Sequence, residues 1–325
     1  MNTLIWGITA LLIALIVALL SGGKIISTLK KASFGQEIRE EGPAWHKKKS
    51  GTPTMGAFIF ASGFVFSVIF ISAVSKIFDK TGLTVIITAL LFGAVGFLDD
   101  YIKVIKKRNL GLTAGKKFLA QALVSVAFSL VLYDLEGGLV LLGASRVNLS
   151  YFAVIFNVFV MLATVNAVNL TDGIDGLAGS TTAIAMAFFA FAAYIMGFDM
   201  LFIILFAVIG GVLGFLYFNK YPAKVFMGDT GSLFLGGLIG ASACAMGIEL
   251  TLIAVGFVFF FETLSVIIQV TYFKATGGKR VFLMTPIHHH FEKKGWSEKK
   301  IVAVASAITL FGALIGALYI TLCAL

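Results

Sequence analysis

Long apolar runs, separated by short polar segments, follow one another along the whole chain. A membrane-spanning helix needs about 20 consecutive and mostly apolar residues, and ten runs approach that length. The predicted spans are residues 3–21, 54–75, 82–98, 118–134, 150–168, 178–197, 201–218, 232–248, 250–273 and 301–322. The pattern predicts an all-α polytopic membrane protein, in which residues 1–325 form a single integral membrane domain.

The composition agrees with this pattern and excludes a soluble fold. Hydrophobic residues make up 59% of the chain and charged residues 13%, whereas a soluble domain carries about 25% charged residues. The run 3–20 has no basic stretch before it and no small-residue cleavage site after it, so we expect a first span rather than a signal peptide. Cys244 and Cys323 lie in apolar segments without metal-binding spacing. A small turn or hairpin is predicted over residues 135–149.

The lysines and arginines predict the orientation of the chain. Loops that follow the odd-numbered spans hold 22 of the 25 basic residues. We call the side that carries these loops the basic face; they are residues 22–53, 99–117, 169–177, 219–231 and 274–300. Because cytoplasmic loops are enriched in Lys and Arg, the basic face is predicted to be cytoplasmic and both termini to lie outside. The basic residues behind the net charge of +9 then set the orientation of the spans and attract anionic lipid head groups, and no nucleic-acid partner is expected.

Aspartates in three of these loops are the first candidates for chemistry. Asp99 and Asp100 follow the third span, Asp172 and Asp175 the fifth, and Asp229 the seventh. Loops that are distant in sequence but share one side of the membrane can build a single site.

Asp99 and Asp100 lie where negative charge is unfavourable, at a helix C-terminus, unless the helix continues into the loop. Adjacent residues project about 100° apart on a helix, so we expect the two carboxylates to have different partners, one binding a cation and the other handling a proton. A solvated helix end, neutralised by Lys103, Lys106 and Lys107, is the alternative.

Asp172 and Asp175 lie in a loop without lysine or arginine. If the segment is helical they share a face, and the glycines beside them permit close approach of a ligand. The alternative is an Asx-turn cap that involves Asn169.

Asp229 lies just before a span, so a helix N-cap supplied by Asp229, Thr230 or Ser232 is one interpretation. A helix N-terminus is also an anion site, and Lys220 and Lys224 are close in sequence. The two interpretations are compatible.

Three consecutive histidines, His288, His289 and His290, follow a loop near the last span. Adjacent side chains diverge on a helix, which makes a single zinc site unfavourable. We expect donors to phosphate, to a sugar or to a base, and the alternative is a surface run without function. Lys49 lies in a further basic stretch without P-loop spacing, for which substrate binding and contact with lipid are both open.

Several carboxylates and many phosphate donors on one face favour Mg²⁺-assisted phosphoryl transfer. Mg²⁺ takes one or two protein carboxylates and completes its shell with water and substrate phosphates. Catalysis of that reaction depends mainly on positioning and charge neutralisation.

Four motifs give the chain a resemblance to a known family. FLDDYIKV, NAVNLTDGIDGLA, FMGDTGSL and MTPIHHHFE occur in this order, and together with GTPTMG they resemble the phospho-N-acetylmuramoyl-pentapeptide transferases over essentially the whole chain. These enzymes are a branch of the polyprenyl-phosphate N-acetylhexosamine-1-phosphate transferase superfamily. Ala57 replaces a glycine that is usual in the family.

The resemblance implies transfer of phospho-MurNAc-pentapeptide from UDP-MurNAc-pentapeptide to undecaprenyl phosphate, giving lipid I and UMP. It implies Mg²⁺, a homodimer and a bacterial plasma membrane location with the site on the cytoplasmic face. The implied catalytic residues are Asp99, Asp100, Asp229 and His288, with Asp99 as the base or activator of the lipid phosphate. Asp229 and Asp172 are the expected metal ligands. The expected substrate-binding residues are Lys49, Lys116, Asn169, Asp172, Asp175, Asn219, His289 and His290.

Two other functions remain open from the sequence. A related transferase of GlcNAc-1-phosphate shares most of the motifs, although PIHHHFE argues against it. A transporter would place ionisable groups near the middle of the membrane, and Glu262 alone among the acids lies in the middle of a span. We expect Glu262 to face the bundle interior beside a polar partner.

Overall fold

A bundle of α-helices and one small hairpin make up the structure, a computed structural model that describes residues 3–32, 51–105 and 111–323. The helices are α1 (Thr3–Lys31), α2 (Ala57–Ser75), α3 (Lys80–Ile105), α4 (Ala114–Glu136), α5 (Phe152–Thr171), α6 (Leu177–Met196), α7 (Asp199–Asn219), α8 (Asp229–Met246), α9 (Leu252–Val255), α10 (Phe257–Ala275), α11 (Ile287–Lys293) and α12 (Glu298–Cys323). Strands β1 (Leu139–Leu142) and β2 (Ser145–Asn148) form the hairpin.

Within the described ranges, nine helices are long and apolar enough to cross a membrane: α1 to α7, α10 and α12. Each lies on a predicted span, so the predicted class, an all-α polytopic membrane protein, is confirmed. Large apolar side chains such as Ile69, Leu123 and Phe311 are exposed on the outer faces of these helices. An apolar surface of this extent suits lipid rather than water.

The eighth predicted span, 232–248, corresponds to α8, which is not one of these nine helices. Its sequence is rich in Gly, Ala and Ser, and every residue from Gly231 to Met246 is buried. Contacts with α3 and α5 account for much of this burial. Helix α8 is therefore an internal helix that touches protein on all sides.

The ninth predicted span, 250–273, is interrupted. A 3₁₀ turn at Glu249–Thr251 leads into the short helix α9, and α10 begins only at Phe257, after Gly256. At Gly256 a Cβ would lie 2.6 Å from the carbonyl oxygen of Leu252, so the absence of a side chain permits this tight break.

The predicted hairpin at 135–149 is confirmed. Strands β1 and β2 are antiparallel, with Leu139 opposite Asn148. Gly137 and Gly138, which connect α4 to β1, have φ angles of 72° and 73°, a conformation that glycine adopts without strain.

Small residues let the helices around α1 approach closely. A Cβ on Gly210 of α7 would overlap the carbonyl of Leu11, and one on Gly63 of α2 would overlap the carbonyl of Ala14. Helix association in membranes relies on such close backbone packing, and it places α7 and α2 directly against α1.

Candidate active site

Helices α3 and α8 bring three aspartates together at the basic face. Helix α3 continues to Ile105, so Asp99 and Asp100 lie within the helix rather than at its end. Asp229 is the first residue of α8. The approach depends on Gly96, where a Cβ would overlap the backbone of Asp229. One carboxylate oxygen from each aspartate lies within 4.8 Å of the other two; we call these three residues the aspartate cluster.

Asp100 caps the N-terminus of α8 from the neighbouring helix. Its carboxylate accepts hydrogen bonds from the backbone N–H of Asp229 at 3.2 Å and of Thr230 at 2.9 Å, and from the Thr230 hydroxyl at 2.8 Å. The first N–H groups of a helix have no partner inside it. The sequence-based assignment of this cap to Asp229, Thr230 or Ser232 was wrong, because the capping carboxylate comes from α3.

Two lysines neutralise the aspartate cluster. Lys103 Nζ lies 2.7 Å from Asp99 Oδ2 and 2.8 Å from Asp229 Oδ2. Lys117 Nζ lies 2.8 Å from the same Asp229 oxygen. Asp99 Oδ1 accepts a hydrogen bond from the backbone N–H of Leu112 at 2.7 Å. Asp99 and Asp100 thus accept hydrogen bonds from different backbone groups, as their positions on the helix predicted. They share Lys103, whose Nζ also lies 3.7 Å from Asp100 Oδ1.

Asn169 orients Asp229 from a third helix, α5. Its side-chain nitrogen donates to Asp229 Oδ1 at 2.9 Å and to the Ser232 hydroxyl at 2.8 Å. Both oxygens of Asp229 therefore accept hydrogen bonds, one from an amide and the other from ammonium groups, which fixes the plane of the carboxylate.

Asp172 borders the aspartate cluster but is not a member of it. Helix α5 ends at Thr171 and α6 begins at Leu177, so Asp172 and Asp175 lie in a turn and do not share a helical face. Burial, together with the negative charges of Asp229, Asp100 and Asp175, raises the pKa of Asp172 to about 8, against a hydrogen bond from the Gly228 backbone that lowers it. A cation bound nearby would counter both effects.

Asp175 and Asn219 join two loops of the basic face. Asp175 Oδ2 accepts a hydrogen bond from Ala223 N at 2.9 Å. Asn219 Oδ1 accepts one from Gly176 N at 3.0 Å, and its Nδ2 donates to Val225 O at 2.9 Å. Both side chains are buried. Their contacts hold the loop that carries Asp172 against the loop that leads to Asp229.

The three histidines lie at the start of α11 and have different surroundings. His288 is buried and its Nδ1 lies 2.9 Å from Glu262 Oε2. His289 Nδ1 lies 2.6 Å from Glu292 Oε2. His290 Nδ1 accepts a hydrogen bond from the backbone N–H of Leu283 at 3.1 Å. Burial lowers the pKa of His290, and the charge of Lys294 adds to this.

The two lysines that the sequence predicted to bind substrate are Lys49 and Lys116. Lys49 lies outside the described residues. Lys116 is exposed on α4, whereas the adjacent Lys117 faces Asp229. Lys117 was not among the residues predicted from the sequence, and Lys103 was expected only to neutralise a helix end. The spacing of Lys103 from Asp99, four residues along one helix, is the signal that favoured this contact.

The donors of the aspartate cluster fit a hard divalent cation. All three are carboxylates with oxygens at mutual ligand distance, and oxygen ligands are those that Mg²⁺ prefers. The ammonium groups of Lys103 and Lys117 supply positive charge at the same oxygens. The predicted ligand Asp229 belongs to this group, and Asp99 and Asp100 accompany it in place of Asp172.

The central part of the chain matches a known family of transferases. Residues 82–247, which include Asp99, Asp100, Asp172 and Asp229, match the model of Glycosyl transferase family 4. The helical membrane bundle and its acidic site are thus those of a membrane-embedded transferase class. The chain belongs to the phospho-N-acetylmuramoyl-pentapeptide-transferase family within that class.

Similar proteins with this name cover nearly the full chain. The protein from Listeria monocytogenes serotype 4b (strain F2365) is 49% identical over 307 residues, which are 93% of this chain and 94% of the relative. The protein from Carboxydothermus hydrogenoformans is 48% identical over 322 residues, covering 95% and 97%. That from Clostridium botulinum (strain Alaska E43 / Type E3) is 46% identical over 311 residues, covering 95% of each chain.

Proposed function

We propose that this protein transfers phospho-MurNAc-pentapeptide from UDP-MurNAc-pentapeptide to undecaprenyl phosphate, forming lipid I and releasing UMP. The observation that carries the proposal is the aspartate cluster at the basic face, contributed by two membrane helices. The names of relatives that are 46–49% identical over almost the whole chain support it. The site then lies on the cytoplasmic face of a bacterial plasma membrane, where a soluble nucleotide substrate and a lipid substrate can meet.

Asp229 is the proposed principal ligand of Mg²⁺, with Asp99 beside it. When bound, Mg²⁺ supplies charge neutralisation to the diphosphate. Asn169 holds the Asp229 carboxylate in place, and Lys103 and Lys117 are the cations positioned to bind phosphate oxygens once a divalent ion shares the carboxylates. Asp172 is not a member of the aspartate cluster but borders it, and it is proposed as a further ligand of the same ion.

Asp99 is the proposed base. It accepts a proton from the lipid phosphate, whose oxygen attacks the phosphorus next to the sugar. A new phosphoanhydride bond forms to the lipid phosphate, and the bond to UMP breaks, so one phosphoanhydride replaces another. Direct attack of this kind needs no enzyme-bound intermediate. Isolation of a phospho-sugar bound covalently to Asp99 or Asp100 would contradict it.

The other residues are proposed to bind substrate. His288 contacts the reacting groups, and His289, His290, Lys49 and Lys116 bind the nucleotide sugar or its phosphates. Asn169, Asp172, Asp175 and Asn219 form or support the nucleotide side of the site. A homodimer in the lipid bilayer is the proposed assembly.

The decisive experiment follows UMP release by purified protein with polyprenyl phosphate and Mg²⁺. UDP-MurNAc-pentapeptide and UDP-GlcNAc are supplied in separate reactions. We expect UMP only from the muramoyl donor. Release only from UDP-GlcNAc would favour the related GlcNAc-1-phosphate transferase, and the absence of UMP with folded protein would refute both transferases.

Asp229→Asn tests the assigned site in the same assay. We expect a loss of at least about 100-fold in kcat, in the range seen when one electrostatic contact to a transition state is removed, together with loss of Mn²⁺ binding measured by electron paramagnetic resonance. Asp134→Asn is the matched control, because Asp134 is exposed near the end of α4 that leads to the hairpin. Full activity of Asp229→Asn would refute the site.

A further inference from the structure

Glu262 and His288 form a buried carboxylate–histidine pair. Glu262 lies in the second turn of α10 and is 3% exposed, and His288 lies in the first turn of α11 and is 1% exposed. Glu262 Oε2 lies 2.9 Å from His288 Nδ1 and 3.3 Å from the backbone nitrogen of His288. One carboxylate oxygen therefore holds both the ring and the backbone of this histidine.

The contacts with Glu262 determine which ring nitrogen carries the proton. The Glu262 carboxylate only accepts hydrogen bonds, and its Oε2 accepts one from the backbone N–H of His288. His288 Nδ1, which contacts the same oxygen, is then the donor. In a neutral imidazole only one nitrogen is protonated, which leaves Nε2 of His288 with a free lone pair.

Nε2 of His288 lies beside the loop that carries Asp172 and Asp175. It is buried and has no hydrogen-bond partner within the described part of the chain. A Cβ on Gly173 would overlap the imidazole ring, so the ring packs directly against the backbone between Asp172 and Asp175. A buried polar atom without a partner at this place is suited to a bound ligand.

We propose that Glu262 is a positioning residue, which fixes the Nδ1–H tautomer of His288 and directs Nε2 to the substrate. The assignment rests on the proposed function for the identity of the substrate, but the tautomer is a property of the protein itself. Glu262 also stabilises the imidazolium that forms when Nε2 takes up a proton. Carboxylates that orient histidines in this way change activity by about 10–100-fold in metal sites when they are removed.

The first test measures the tautomer directly. The chain has four histidines, so ¹⁵N-histidine labelling gives few ring signals, and the signals that disappear in His288→Gln identify His288. At pH about 8.5, where an ordinary histidine is neutral, we expect His288 to be protonated on Nδ1. Protonation on Nε2 in the unmodified protein would overturn the proposal. This result does not depend on turnover, so it stands apart from any failure of the proposed reaction.

The second test combines kinetics with the same spectra. Glu262→Gln replaces a pure acceptor by an amide that both donates and accepts. We therefore expect His288 to lose its single tautomer. We also expect kcat to fall by about 10–100-fold, with the KM values for the nucleotide sugar and the lipid phosphate changed less than about threefold. Glu262→Asp keeps the acceptor and is expected to retain the Nδ1–H tautomer and to lose less kcat. A Glu262→Gln enzyme with the wild-type tautomer and kcat would overturn the proposal.

Two control variants separate positioning from general damage. Glu249→Gln replaces another buried acid, which lies beyond the end of α8 opposite to Asp229, and should leave kcat and the His288 signals unchanged. Glu292→Gln alters the neighbouring pair with His289 and should leave the His288 tautomer unchanged. If Glu262→Gln fails to fold, the wild-type spectrum and Glu262→Asp still decide the question.

Discussion

Asp99 and Asp100 are adjacent and both buried, but the bonds they make differ in kind. Asp100 accepts hydrogen bonds from two backbone N–H groups at the start of α8, whereas Asp99 accepts one from the loop before α4 and shares Lys103 with Asp229. Asp100 therefore supports the fold more strongly, whereas Asp99 makes fewer hydrogen bonds to the backbone and is better placed to take part in a reaction.

Alanine at each position separates these roles. Asp100→Ala leaves the half-buried N–H groups of Asp229 and Thr230 without their acceptor, and we expect the free energy of unfolding to fall by about 1–3 kcal/mol. Asp99→Ala leaves only the N–H of Leu112 without its acceptor and removes the repulsion between Asp99 and Asp229. A smaller fall in the free energy of unfolding is therefore expected. Thermal unfolding in detergent measures both. Equal destabilisation would contradict the assignment of the cap to Asp100.

The acidic residues of the site and the contact of Lys103 could be predicted from the sequence, but the contact of Lys117 could not. Each aspartate lies in a polar segment between apolar runs, and a common side of the membrane brings these segments together. The choice between Lys116 and Lys117 depends on the rotation of α4 about its axis, which is fixed by its start at Ala114 after Thr113. The presence of two adjacent lysines in the sequence does not carry that information.

Close packing through small residues holds helix α1 against its neighbours in the bundle. The buried face of α1 consists mainly of glycine and alanine, and Gly210 of α7 meets the backbone of this face at Leu11. Larger residues at the contact would separate the helix axes and lose dispersion contacts along both helices.

Gly210→Ala should destabilise the α1–α7 contact. The new methyl would overlap the Leu11 carbonyl, and overpacking of this kind costs about 1–3 kcal/mol. Gly23→Ala on α1 is the matched control, because a Cβ there meets nothing within 4 Å and alanine favours a helix. The comparison is made by thermal unfolding in detergent. Equal stability of the two variants would refute this packing role.

The 3₁₀ turn after α8 predicts a pH dependence of stability. Glu249 is 4% exposed, and burial raises its pKa from 4.5 to about 8. Between these two values the folded protein retains a proton that the unfolded chain releases. The stability that this proton provides is complete below pH 4.5 and is lost as the pH rises to about 8.

Glu249→Gln should remove this dependence. We expect the wild-type protein to lose about 2–4 kcal/mol from this group between pH 5 and pH 8, and the variant to lose correspondingly less. Unfolding curves at several pH values provide the measurement. Parallel pH profiles for both proteins would contradict a protonated Glu249.

Along the whole chain, the hydropathy pattern predicted the helices that face lipid, but it gave less information about the helices inside the bundle. In the part of the chain that the structure describes, the nine helices long and apolar enough to cross a membrane coincide with predicted spans. The break at Gly256 was not predicted, because an apolar run does not show where a backbone departs from a helix. Glu262 was expected to face the interior beside a polar partner, and His288 is that partner.

The orientation in the membrane remains a prediction and is testable with two cysteine reporters. In a chain with Cys244 and Cys323 replaced by alanine, Lys279→Cys lies in a loop of the basic face and Arg146→Cys on the hairpin, both at exposed positions. An impermeant maleimide applied to intact cells should label Arg146→Cys and should reach Lys279→Cys only after lysis. The opposite result would reverse the topology.

The complete burial of α8 has a consequence for how the protein is made. A segment rich in Gly, Ala and Ser gains little by partitioning into lipid on its own, and α8 contacts α3 and α5, which precede it in the chain. Its insertion must therefore wait until those helices offer a protein surface. The ribosome completes Asp229, the central residue of the aspartate cluster, at the start of this same segment, so the site is assembled during biosynthesis only when the bundle closes around α8.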